Sequence, residues 1–254
     1  MIPILGYMAC GVLAGLLGGY LGLGGGIIIV PYLTLVMGLN IKAAIPISMA
    51  AIVINSLASS SEYMKRGMVD LELMVSLTLS MVIGMVCGSM LLTVVTPAYV
   101  KLLLSLVLLY AAYNVIHGQE PNHSDSSGRR PAAMAWCVVL ALVGGTLAGL
   151  VGVGGGVIVI PLMYLLLGVP LAMARGTSSF IVGFAGAASL AVYFFSGLVN
   201  LSVLPPVLLG TIIGGKVGGR MGALAKPTAV RIVFTLVIVY VAARLSWGAI
   251  GELR

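Results

Sequence analysis

The sequence predicts an all-helical protein that crosses a membrane several times and consists of two homologous repeats. Three observations carry that expectation. The first is composition: of 254 residues, 61% are hydrophobic and only 7% charged, with a mean hydropathy of +1.20. A soluble domain carries roughly 25% charged residues, and one core could not hide this much apolar surface, so the solvent is lipid. The second is self-similarity. Sliding the chain by 130 positions aligns residues 11–110 with 141–240 without a gap and gives 28 identities, ten of them glycine on glycine. The third is punctuation. LGLGGGIIIVPYLTLVMG at residues 21–38 returns as VGVGGGVIVIPLMYLLLG at 151–168, a glycine run directly before a proline-interrupted apolar stretch. Apolar residues coincide by chance in a membrane protein, but aligned glycines, with Pro31/Pro161 and Pro97/Pro227 in the same register, mark an internal repeat.

Each half reads as five helical segments, at approximately 2–20, 27–38, 42–64, 71–95 and 98–116 in the first and 130 residues further on in the second. The first segment starts at Ile2 with no basic stretch before it, and glycine continues where a cleavage site would stand, so it reads as a retained helix. The second is short. Its residues reach about 18 Å at ~1.5 Å each, less than the roughly 30 Å hydrocarbon core, so it forms a broken, glycine-tipped hairpin with the first. The third ends in SEYMKRG, where Glu62 stands three and four residues before Lys65 and Arg66, the spacing of a local ion pair. Asp70 and its counterpart Asn200 read as N-caps of the fourth segments. GMVCG (84–88) and GGKVGG (214–219) carry the small-residue spacing that lets helices approach closely. Cys10, Cys87 and Cys137 read as small buried apolar residues without metal or redox spacing. The polar stretch HGQEPNHSDSSGRRP, with both histidines, joins the halves, which gives a repeat at 1–116, a linker at 117–131 and a repeat at 132–254.

Basic residues set the orientation. If each half crosses an odd number of times, the second is inverted. Lys65, Arg66, Arg129, Arg130, Arg175, Arg220, Lys226 and Arg231 then share one side, with Lys42, Lys101, Arg244 and Arg254 on the other. An even number of crossings divides the same residues equally, and the positive-inside rule prefers the lopsided split. The expectation is therefore inverted repeats in the cell inner membrane, with a cytoplasmic linker and external termini.

The glycines suggest chemistry. At a tip before a helix they leave backbone N–H groups unpaired, allow close approach and place a partial positive charge there, which suits an anion. Gly24, Gly25 and Gly26 and their repeats Gly154, Gly155 and Gly156 are thus candidate substrate-binding residues; tight packing alone would also use them. RGTSSF (175–180) adds Arg175, Thr177, Ser178 and Ser179, charged and neutral donors fit for a small oxyanion, while the first half keeps only Ser48 as the aligned hydroxyl. The same residues would suit an interfacial arginine with hydroxyls capping a helix, and the sequence leaves both open. Lys216 reads as a cation inside a span, where charge is costly and often functional, with snorkelling to the interface as the alternative. Asn55 is a further polar candidate, or a bond to a neighbouring helix.

Other classes find little. GTIIGGKV (210–217) satisfies GxxxxGK, but Val217 replaces the metal-binding hydroxyl and no strand precedes it. No catalytic nucleophile–base pair and no metal-ligand cluster stands in the spans, so neither an enzyme nor a cofactor is expected. The +7 charge follows the loops and fits membrane lipid rather than nucleic acid. The expected partner is a small anionic substrate, and a homodimer is allowed.

The duplicated GLGGGIIIVP and GVGGGVIVIP, the G-x-V-[DN] turns (Gly67–Asp70, Gly197–Asn200) and the glycine-rich fourth segments resemble the TauE/SafE family of sulfite and organosulfonate exporters. The resemblance covers nearly the whole chain. It implies a secondary transporter exporting a small sulfur-containing anion such as sulfite, sulfoacetate or a related sulfonate. An anion channel, or a carrier for another small anion such as a carboxylate, is the alternative.

Overall fold

A computed structural model describes residues 2–117, 131–222 and 238–249, and among them there are helices and connections but no strand. The linker from 118 to 130, the stretch 223–237 with Lys226, Pro227 and Arg231, and the last five residues with Arg254 lie outside the described residues.

The helices fall close to the expected boundaries. The first half contains α1 (Ile2–Leu21), α2 (Gly26–Pro31), α3 (Ile41–Met64), α4 (Leu71–Val94) and α5 (Pro97–His117). The second contains α6 (Pro131–Val151), α7 (Gly156–Leu167), α8 (Leu171–Phe195), α9 (Leu204–Gly222) and α10 at 238–249. Helices α1, α3, α4, α6 and α8 contain stretches long and apolar enough to cross a membrane.

Local chemistry explains where the halves differ. α2 widens after Pro31 into a π-helical turn, Tyr32–Val36, whereas Pro161 sits inside an unbroken α7. Proline removes one ladder hydrogen bond. Thr34 Oγ1 then donates to the Val30 and Pro31 carbonyls at 2.9 and 3.1 Å, a bond unavailable to Tyr164 at the equivalent place. The Asp70 carboxylate caps α4 by accepting from the Leu73 N–H at 3.1 Å, as expected. Asn200 does not cap α9. It accepts from Ser202 N–H in a turn, and the helix starts at Leu204, because Pro205 and Pro206 lack N–H groups and fit only the first turn. Glu62 and Lys65 pair at 3.1 Å on the surface. Cys10 and Cys137 are buried, but Cys87 is exposed, a correction to the uniform burial expected.

Packing between the halves recurs with the roles exchanged. α1 packs along α9 as α6 packs along α4, and α3 meets α9 as α8 meets α4, while α3 and α8 pack on each other. The glycines in the fourth helices make these contacts close. A Cβ at Gly84 or Gly88 would strike the carbonyls of Leu142 or Thr146 on α6, and one at Gly214 or Gly218 those of Val12 or Leu16 on α1. Every residue in that set has its counterpart 130 positions on. α3 is the most buried of the long apolar helices, and the glycine segments after α1 and α6 rest against α3 and α8.

Candidate functional site

The two glycine segments meet. Gly22, Gly24 and Gly25 have φ of 72°, 84° and 92°, and Gly152 and Gly154 have 77° and 80°, a left-handed conformation that side chains disfavour. Gly155 departs from the pattern with φ −76°. A Cβ at Gly26 would lie 2.5 Å from the Gly152 carbonyl oxygen, and one at Gly156 would lie 2.5 Å from that of Gly22. Each segment therefore presses backbone to backbone on the other. Neither α2 nor α7 has a side-chain cap at its start.

A crossed pair of serines fixes this meeting. Ser48 Oγ on α3 donates to the Gly152 carbonyl at 2.7 Å, and Ser178 Oγ on α8 donates to the Gly22 carbonyl at 3.2 Å. Each half holds the glycine segment of the other. Buried bonds of this kind contribute about 1 kcal/mol each and leave a costly orphan carbonyl when removed.

Charge enters on one side alone. Arg175 is 8% exposed and its backbone sits where a Cβ at Gly22 would go, at 2.9–3.0 Å. Its Cζ lies 5.6 Å from the centre of the Tyr20 ring, within cation–π range. Behind Gly152 the equivalent position holds Ile45, and the counterpart of Tyr20 is Leu150. Tyr63 closes the charged side by donating to the Gly19 and Tyr20 carbonyls at 3.1 and 3.3 Å. Tyr193 repeats this bond to Gly149.

The remaining expected residues separate. Arg175 lies inside α8, not at its start, so the hydroxyls after it do not cap the helix. Consecutive helical residues point about 100° apart, and Thr177, Ser178 and Ser179 therefore cannot share one face. Thr177 Oγ1 accepts from the Asp70 N–H at 2.9 Å, and Ser179 Oγ turns back to the Arg175 carbonyl at 3.0 Å. Lys216 lies on the exposed face of α9, because Gly214, Gly215, Gly218 and Gly219 occupy the packed face. It stands within Coulombic reach of Glu62, as Arg220 does.

Asn55 stands out among the described residues with two unsatisfied polar atoms. It is 0% exposed, and neither Oδ1 nor Nδ2 has a hydrogen-bond partner; the hydroxyls of the neighbouring Ser56 and of Ser189 have none either. A methyl group on Gly18 would touch both the Gly25 amide nitrogen and, at 2.7 Å, Asn55 Nδ2, while Gly215 borders Oδ1. The amide thus stands beside the start of α2 in room that two glycines leave open. A buried amide without partners costs about 1–3 kcal/mol, which a polar ligand would offset. Sequence reasoning missed Tyr20 and Tyr63; the identity of Tyr63 with Tyr193 in the repeat was the available signal, and Tyr20 gave none.

The arrangement places the Asn55 amide and the Arg175 guanidinium beside the glycine segments, groups whose chemistry suits a small anion. Among the described residues no group of His, Cys, Asp and Glu could hold a metal ion. A family model described as Sulfite exporter TauE/SafE matches residues 7–245. A probable membrane transporter protein of Bacillus subtilis (strain 168) is 28% identical over 94% of this chain and 96% of its own length. One of Methanocaldococcus jannaschii is 23% identical over 94% and 92%, and one of Xylella fastidiosa (strain Temecula1) 26% over 96% and 95%. No solved structure matches the chain.

Proposed function

The chain belongs to the sulfite exporter TauE/SafE family, and from that premise we propose that it is a secondary transporter exporting a small sulfur-containing oxyanion, such as sulfite or an organosulfonate, across the cell inner membrane. Two inverted repeats, residues 1–116 and 132–254, alternate access around a site between their glycine-tipped hairpins. The anion accepts from the backbone of Gly24–Gly26 and Gly154–Gly156 and from Asn55, with Arg175 supplying charge and Ser48 and Ser178 holding the tips. Family and relatives support a membrane transporter; substrate and mechanism are our reading.

The observation that carries this reading is the crossed serine pair, since tips clasped across the halves are what a site at a repeat interface requires. Side grouping supports the inversion. The ends that would face the cytoplasm in inverted repeats lie together, as in the Asp70–Thr177 bond and the Glu62, Lys216 and Arg220 cluster. Equilibrium binding of sulfite, alkylsulfonates and carboxylates to purified protein tests the substrate, and counterflow in proteoliposomes tests the carrier. Arg175→Ala should weaken sulfite binding tenfold to over a hundredfold, as expected for a charge-assisted bond, while Lys216→Ala should bind as the parent does. Binding that ignores Arg175 would overturn the assignment, and flux without saturation or counterflow would make the protein a channel.

A further inference from the structure

A crevice of about 720 Å³ opens where the π-helical turn leads into α3, the start of α5 and residues 244–248 of α10 converge. None of its lining residues belongs to the glycine tips, so it is separate from the site above. Its size falls within the roughly 300–1,000 Å³ of ligand pockets. Two of the lining residues, Lys101 and Arg244, are cations, and none is a carboxylate. Thr96–Tyr99 turn the beginning of α5, a helix of 21 residues with no acid in its first turn, toward the same space. Asn40 and Thr96 add polar groups, and Leu39 and Leu245 provide an apolar wall. Converging positive charge beside an apolar wall fits a ligand with an anionic head.

We propose that this crevice binds an oxyanionic group, carried either by an anionic phospholipid head or by a free oxyanion, through Arg244, Lys101 and the first turn of α5. Arg244 is exposed and Lys101 half-buried, so a head lodged between them keeps both charges partly solvated and needs no buried countercharge. The apolar wall accommodates an acyl chain in the lipid case and remains unfilled in the other.

Trp247 is not a lining residue, but it is 80% exposed, stands next in sequence to the lining residue Gly248 and serves as the fluorescent probe. With Trp136→Phe it becomes the single tryptophan of a chain that has two. The protein is placed in nanodiscs containing brominated phosphatidylglycerol or brominated phosphatidylcholine, and quenching of Trp247 is measured. Two basic side chains at a membrane surface give an anionic lipid about a thirtyfold preference. That preference should vanish in Arg244→Gln/Lys101→Gln and persist in Arg244→Lys/Lys101→Arg. In neutral detergent without lipid, inorganic sulfate is titrated against Trp247 emission. A lipid preference assigns the head to phospholipid, and a saturable sulfate response lost in the glutamine variant assigns it to a free oxyanion. Equal quenching by the two lipids together with no sulfate response in the parent protein overturns the proposal, whatever the variants do, as does binding that survives both glutamines.

Discussion

Arg175 and Tyr20 form a cation–π pair, with Cζ 5.6 Å from the ring centre, and both partners are absent from the equivalent place in the other half. There Ile45 and Leu150 stand instead. Tyr20 comes from the first half and Arg175 from the second, so the single charge of the site is oriented across the repeat boundary. The two halves thus place unlike side chains behind their glycine segments, one cationic and one aliphatic.

Tyr20→Leu should therefore weaken sulfite binding by roughly threefold to thirtyfold, the range of a partly desolvated cation–π contact, and Tyr20→Phe should retain most of it. The ring, not the hydroxyl, carries the effect. Calorimetric titration of the three proteins measures it. If Tyr20→Phe lost as much affinity as Tyr20→Leu, the phenol and not the ring face would be holding Arg175.

The tips should tolerate a methyl group unequally. At Gly25, φ is 92° and an added Cβ would lie 2.6 Å from the Ala14 carbonyl, so both conformation and space oppose it. A left-handed conformation costs a side chain about 1–2 kcal/mol before any clash. Gly155 has an ordinary φ, and its Cβ would meet the end of the Met81 side chain, which can swing aside. Gly25→Ala should lower the melting temperature in detergent by several degrees more than Gly155→Ala does. Equal losses would mean that Met81 is held as rigidly as backbone.

These differences mark how far the sequence could be read. Helix ends were legible within a few residues, because glycine and proline punctuate them and Asp70 caps α4 through its side chain. Ser48 and Ser178 were legible as the one hydroxyl that residues 45–50 share with RGTSSF. Helical phase was not. In lipid both the packed and the exposed face of a helix are apolar, so the pattern does not say which way a residue points. Hence Cys87 and Lys216 proved to be exposed, and Thr177 and Ser179 turned from the side that Ser178 faces. The start of α9 moved because two prolines set it more firmly than Asn200 could.

Asn55 separates stability from binding. Its amide is buried without partners, so Asn55→Leu, of similar size, removes a desolvated polar group and should leave the melting temperature unchanged or raised. The same substitution removes a donor from the anion and should weaken sulfite binding about twofold to twelvefold, the value of a neutral hydrogen bond. Thermal unfolding and equilibrium binding on one preparation give both numbers. A destabilised protein with unchanged affinity would make the amide a structural group after all.

Arg66 and Ser196 occupy equivalent, exposed positions 130 residues apart, each beside the glycine that ends the third helix of its half. In inverted repeats they face opposite sides of the membrane, with Arg66 cytoplasmic. The inversion would follow from an odd number of crossings per half, as it would if α3, α4 and α5 each crossed once and the hairpin returned to its own side. Thiol labelling decides the matter in a background where Cys10, Cys87 and Cys137 are serine. An impermeant maleimide added to intact cells should modify Ser196→Cys and spare Arg66→Cys until the membrane is opened. The positive-inside rule points the same way, because Lys65 and Arg66 flank one glycine whereas Phe195 and Ser196 flank the other. Labelling of both positions from one side would require an even number of crossings. The repeats would then run parallel, and their tips could not approach each other from opposite faces.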